Sequence, residues 1–185
     1  MAAVPSSSRS SGGSSTGMAL LNSLTLASPG TFDQASIDQT YNDLIVVLMV
    51  RGTNAATNDN IDIKFNNDGG ANYTWDIATV VNTTLSASVT AGSAVGSIAK
   101  ASSAGGTANV FTPVVIVIPG YTSTSWFKVA LSQYGVAYTA LAANTTTGTG
   151  MLQWASTAAI NRISVQGDNT ANLATGSTMR IYGRL

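Results

Sequence analysis

Cysteine, histidine and glutamate are all absent from this 185-residue chain, and only 9% of its residues carry a charge. No disulfide or thiolate metal site can form. Without imidazole a Ser-His-Asp arrangement cannot be assembled, and most of the usual general bases and zinc ligands are missing too. All eight acids are Asp, balanced by eight Lys and Arg scattered singly, for a formal net charge of zero. Nucleic acid and anionic membranes are met by clustered Lys and Arg, so neither is expected as a partner. Long apolar runs are lacking as well. The longest aliphatic run, Leu44 to Val50, falls far short of the roughly 20 residues that span a bilayer. Met1 to Gly17 has no apolar stretch of the kind a secretory signal needs. The expectation is a protein with no enzymatic activity and no cofactor.

What is present is 44% apolar residues in a length suited to one domain. Such a chain buries roughly two thirds of its unfolded surface and needs no covalent staple. With so few charges, little opposes association with copies of itself. Residues 1–17 read as an extended Ser/Gly-rich arm and residues 18–185 as a β domain. The arm, with SSSRSSGGSSTG at Ser6 to Gly17, cannot bury enough apolar surface to offset its ordering entropy. Its expected role is to fold onto a neighbouring subunit, with Val4 and Pro5 as an apolar tip and Arg9 as its one charge.

From Met18 onward the dominant period is two, the spacing of a strand. Leu20, Leu24 and Leu26 share one face of a first strand. LIVVLMV at Leu44 to Val50 reads as a central strand buried on both faces. Ile61, Ile63 and Phe65, then Asn66-Asn67-Asp68-Gly69-Gly70, then Tyr73, Trp75 and Ile77 read as a hairpin. Val80 to Asn109 is rich in small residues, with weak strands around Leu85 to Val89 and Val95 to Ile98. Phe111 to Ile118 is a buried strand, and Phe127, Val129 and Leu131 alternate with Lys128 and Ala130. A strand at Tyr134 to Leu141, a turn at Asn144 to Gly150, and strands carrying Leu152 with Trp154, Ile163 with Val165 and Met179 with Ile181 complete the chain. Roughly ten short strands with Gly- and Asn-rich turns predict an all-β fold, an antiparallel β-sandwich or jelly roll with an extended N-terminal arm.

Several of these residues carry a resemblance. Tyr41-x-x-Leu44 leads into a strand ending at Arg51; Lys64-Phe65-Asn66-Asn67-Asp68 is followed by Asn72-Tyr73; Trp154 by Ile160 and Ile163; and Gly176-Ser177 by Ile181-Tyr182-Gly183. This order resembles the small jelly-roll-like structural proteins of tailed bacteriophages. The resemblance covers Leu20 to the C-terminus. It implies a usually trimeric unit on the virion, either a head decoration (cement) protein or part of a fibre or tail appendage. It brings no catalytic residues.

Each candidate site has a plainer role beside it. Asp59, Asp62 and Asp68, with Asn58, Asn60, Asn66 and Asn67, are hard oxygen ligands of the kind calcium uses, but their spacing is not that of an EF-hand loop. Turn-forming side chains are the favoured role for them. No pair of Asp is selected for acid-base work on a glycosidic bond. Tyr73, Trp75, Trp126, Tyr134, Tyr138 and Trp154 could stack on sugars, but most fall at inward-facing positions where core packing is the commoner fate. Arg162, Arg180 and Arg184 read as solvated strand positions or intersubunit ion pairs rather than a phosphate contact. The expected function is a capsid decoration protein on the outer head surface, bound as a homotrimer to the major capsid protein or other virion proteins. A fibre or appendage domain binding a host-surface glycan is the alternative. A chain of this length opening on Met1, with only a short arm, favours the head over the tail.

Overall fold

Two β-sheets packed face to face form the framework of the described residues, 17–137, 145–168 and 171–185 of a computed structural model. Val4, Pro5 and Arg9 lie outside the described residues. In chain order the strands are β1 (Met18–Thr25), β2 (Phe32–Gln34), β3 (Asp43–Val50), β4 (Asn58–Phe65), β5 (Tyr73–Val81), β6 (Thr84–Ser93), β7 (Gly96–Ser102), β8 (Thr112–Ile118), β9 (Lys128–Ala137), β10 (Thr145–Trp154), β11 (Ile163–Gly167) and β12 (Thr178–Arg184). The larger sheet has eight strands in the order β1-β12-β3-β8-β9-β10-β5-β6, and the smaller has four in the order β2-β11-β4-β7. The strand pairs of both sheets are antiparallel. The chain is an antiparallel β-sandwich, as its alternation predicts. No helix among the described residues is long and apolar enough to cross a membrane.

The core lies between the sheets. From the larger sheet come Leu44, Val46, Leu48 and Val50 of β3, Val114, Ile116 and Ile118 of β8, and Met179 and Ile181 of β12. Ile61, Ile63 and Phe65 of β4, Ile163 and Val165 of β11, and Phe32 of β2 meet them from the smaller sheet. Each such side chain contributes about 1.5–3 kcal/mol when taken fully from water. Eight strands cannot all be covered by four, so the larger sheet overhangs, and β6 is exposed on both faces for most of its length.

Several local expectations change. The strands expected around Phe127 to Leu131 and at Tyr134 to Leu141 are one, β9, as far as the described residues go, and β8 is buried on one face only, with Val115 exposed on the other. Leu20 does not share a face with Leu24 and Leu26: a bulge between Leu20 and Asn22 shifts the alternation, leaving Leu20 exposed while Leu21, Leu24 and Leu26 pack on the core. The β3 run is central but fully buried on one face only, since Ile45 and Val47 are half-buried and Met49 is exposed. β4 and β5 are not a hairpin, because they lie in different sheets. The chain arches across the end of the sandwich, with Asn66 and Asn67 both at positive φ (52° and 56°). The Phe65 amide donates to Tyr73 Oη at 2.9 Å, and Trp154 Nε1 donates to Asp68 Oδ2 at 2.7 Å. Finally, the turn expected at Asn144 to Gly150 falls largely within β10. Its glycines answer to close packing rather than reversal: a Cβ on Gly148 would collide with the Tyr134 ring, and one on Gly150 with the Ile98 carbonyl.

Candidate interaction surface

The outward faces of the two sheets differ in kind. Cross-strand register places Asp33, Ser164 and Lys64 side by side on the smaller sheet, and Asn60 beside Lys100. That is an ordinary solvated face. On the larger sheet, one directly paired row runs Leu20, Tyr182, Ile45, Val117, Leu131, Met151, Asp76, Val89 across all eight strands. The adjoining row runs Arg180, Val47, Val115, Gln133, Thr149, Ala78, Ala87. Apolar side chains dominate its centre, and a concavity of about 550 Å³ opens there over Val115, Val117, Leu131, Met151 and Ala78.

On β9 the usual pattern is reversed. Lys128, Ala130 and Ser132 point into the sandwich, whereas Phe127, just ahead of the strand, and Val129 and Leu131 are exposed, Leu131 by 52%. The inward side is explained by space, because β7 packs close beneath. Ser132 Oγ donates to the Ile98 carbonyl, and Gly150 meets the same carbonyl from β10. Lys128 Nζ donates to the Trp126 and Thr157 carbonyls at 3.0 and 3.2 Å, and burial pushes its pKa down. Close packing requires small side chains inside but does not require leucine and valine outside. Such a contiguous exposed apolar patch is the candidate interaction surface of this chain.

Charge on this face is sparse and placed at its two ends. Asp76 on β5 and Arg180 on β12 are both exposed, and no ion pair joins either to another described residue. They lie five strands apart, about 24 Å at ordinary strand spacing. The Arg184–Asp43 pair shares this face, and the arginines other than Arg180 among the described residues have partners within the chain, Arg51 by donating to the Gly106 carbonyl. Arg162 forms a two-pronged pair with Asp33 at 2.5–2.7 Å, and Arg184 pairs with Asp43 at 2.5 Å.

The acids considered as calcium ligands do not gather into one site, since Asp68 lies in the arch after β4 and Asp59 and Asp62 are buried on β4 itself. Asp62 is buried on β4 and accepts from Ser97 Oγ at 2.6 Å, with burial pushing its carboxyl up to about 6. Asp59 is also buried, and burial and the facing Asp168 raise its pKa. The turn-forming role therefore fails for these two. It holds for Asp68, which accepts from the Gly70 amide and Asn72, and whose pKa is lowered chiefly by the Trp154 hydrogen bond. Asn66 ties the arch to the following chain, accepting from the Asn161 and Arg162 amides. No group of three metal-ligating side chains occurs among the described residues.

Tyr73, Tyr134 and Trp154 are core residues and Trp75 is half-buried; Tyr138 lies outside the described residues. Trp126 is the exception, 58% exposed and lying over Gly120. Sequence reasoning missed the outer face as a site. The signal was available in the alternation of Phe127, Val129 and Leu131 with a lysine and an alanine, which by itself does not say which side faces inward. No family model, curated protein or solved structure matches the chain.

Proposed function

We propose that this chain is a non-enzymatic structural protein of a bacteriophage particle: a decoration subunit that sits on the outer head surface as a homotrimer and reinforces the shell. The observation that carries the assembly role is the apolar outer face of the larger sheet, above all the outward Val129 and Leu131 of β9. Burying such a face against neighbouring copies removes it from water and needs no chemistry, which suits a chain without imidazole, thiol or glutamate. Asp76 and Arg180, of opposite sign at opposite ends of that face, suit a head-to-tail contact. Such a contact closes into a ring where its rotation divides the full turn, as a trimer requires. The virion and the threefold number come from the resemblance of the β domain to the small jelly-roll-like structural proteins of tailed bacteriophages, which implies head decoration and tail appendage alike, and binding to shells adds stability by mass action.

Sedimentation equilibrium tests the assembly. A trimer is expected, and Leu131→Arg, at an exposed position, should dissociate it into folded monomers. A wild-type chain that stays monomeric at the highest attainable concentration overturns the reading. Shell attachment is tested separately with a chain lacking residues 1–17, which should still trimerise but no longer bind particles. An appendage domain that binds a host glycan is the second reading, and the exposed Trp126 favours it. A reproducible glycan-array signal abolished by Trp126→Ala would put that reading first.

A further inference from the structure

The unpaired edge of the larger sheet carries a side-chain order that reads alike in both directions. β6 contains Thr84-Leu85-Ser86-Ala87-Ser88-Val89-Thr90, in which Thr mirrors Thr, Leu mirrors Val and Ser mirrors Ser about Ala87. Across these seven residues the strand pairs with β5 in unbroken register, Thr84 with Val81 through Thr90 with Trp75. Among the described residues its other side has no strand, because β6 ends the sheet. Leu85 and Val89 are 72% and 70% exposed.

Free edges are normally guarded by a charge, a proline, a bulge or short length. β2 is three residues long and carries Asp33, and β7 carries Lys100. β6 is ten residues long, with no charge and no proline, and its one bulge lies beyond Thr90, outside the seven-residue stretch. Its order also selects what it would pair with. Two copies laid antiparallel about a twofold axis through Ala87 bring Leu85 opposite Val89 on the outward face and Ser86 opposite Ser88 on the other. Every facing pair is then like with like in polarity, and no charges oppose. An unrelated strand would have no reason to be matched by such symmetry. A twofold contact also closes at two copies, whereas an open edge that accepts any strand leads to aggregation.

We infer that β6 is a twofold pairing edge whose partner is β6 of a second copy of this chain, joining the two larger sheets into one continuous sheet. The outward strip then runs Val80, Leu85, the partner subunit's Val89, so the apolar surface continues across the axis. This contact is separate from the head-to-tail one under the functional reading. It would join two subunits whether or not each also belongs to a ring.

The absence of native cysteine makes the test direct. Residues facing each other across an antiparallel pair have Cα atoms about 4.5–5.5 Å apart, within disulfide range. Ala87→Cys should therefore cross-link to itself under oxidised glutathione. Leu85→Cys should not, because its own copy lies about 13 Å along the strand. Leu85→Cys mixed with Val89→Cys should cross-link, as a heterodimer only. Ala87→Lys, which sets two lysines on the axis, should abolish the dimer without altering the fold read by circular dichroism. Performed in the Leu131→Arg background, the same cross-linking separates this contact from the ring. Cross-linking of Ala87→Cys no faster than that of Leu85→Cys, in both backgrounds, overturns the inference.

Discussion

Asp62 accepts its hydrogen bond from Ser97 Oγ in a buried position, and burial raises its carboxyl to about 6 from the ordinary 3.8. Between those two values the folded chain holds a proton that the unfolded chain has released. Stability attributable to Asp62 is therefore full below about pH 4 and declines as pH rises through about 6. A shift of this size corresponds to about 3 kcal/mol. Asp62→Asn, which keeps an acceptor for Ser97 but cannot ionise, should flatten that decline; urea midpoints measured at about pH 4 and pH 7 in both chains check it. The carboxyls with lowered pKa work in the opposite direction. Asp33 is held down mainly by its hydrogen bond from Arg162. Asp43, whose burial would raise it, is held down by Arg184 and the Gly120 amide. Their contributions are present above the ordinary carboxylate range and fade as pH falls below about 4. As surface pairs they add little to stability at neutral pH.

β9 and β10 show what an element inherits from its neighbour. Where β7 packs close, the inward positions hold Ala130, Ser132 and Gly150, and a methyl group at Gly150 would meet the Ile98 carbonyl. Gly150→Ala should destabilise the chain by about 1–3 kcal/mol, the usual cost of overpacking, measured as a lower urea midpoint at unchanged slope. The elements themselves were largely legible in the sequence. Aliphatic runs located β3 and β8, and alternation located β5, β11 and β12 and put Leu152 with Trp154 and Ile163 with Val165 on shared faces, because the period of a strand needs only local information. What was not legible depended on contacts between distant residues. Gly148 and Gly150 resemble turn residues until the Tyr134 ring and the Ile98 carbonyl are seen against them. The Asn66 to Gly70 loop looks like that of a hairpin until Trp154 and Tyr73 are seen tying it across two sheets. The sequence could count Phe127, Val129 and Leu131 but not say which layer of the sandwich they faced. The interaction surface was missed for that reason.

At the scale of the whole molecule, the two sheets divide the work. The smaller sheet carries Asp33, Ser164 and Lys64 on its outer face, and the larger presents a mostly apolar face whose charges are the Arg184–Asp43 pair and, toward its two ends, Arg180 and Asp76. If subunits meet head to tail, Asp76 of one copy faces Arg180 of the next. Asp76→Arg alone should then weaken the oligomer and Arg180→Asp alone should do the same, while the double exchange restores it. At about 0.2–1 kcal/mol for each rim contact, the effect is small per interface but repeats around a ring. Sedimentation of the three variants at low salt reads it, and strict additivity of the two single effects would argue against facing charges.

The mismatch of eight strands over four reaches beyond packing. With no second layer behind it, β6 is held to the body of the protein chiefly by its ladder to β5, so releasing it exposes little that was hidden and costs little free energy. In an isolated subunit this strand would be the first to fray and its backbone amides the first to trade hydrogen for deuterium. The step that completes the sheet's order would then come only when another chain supplies the missing ladder, which makes the last part of folding a bimolecular event.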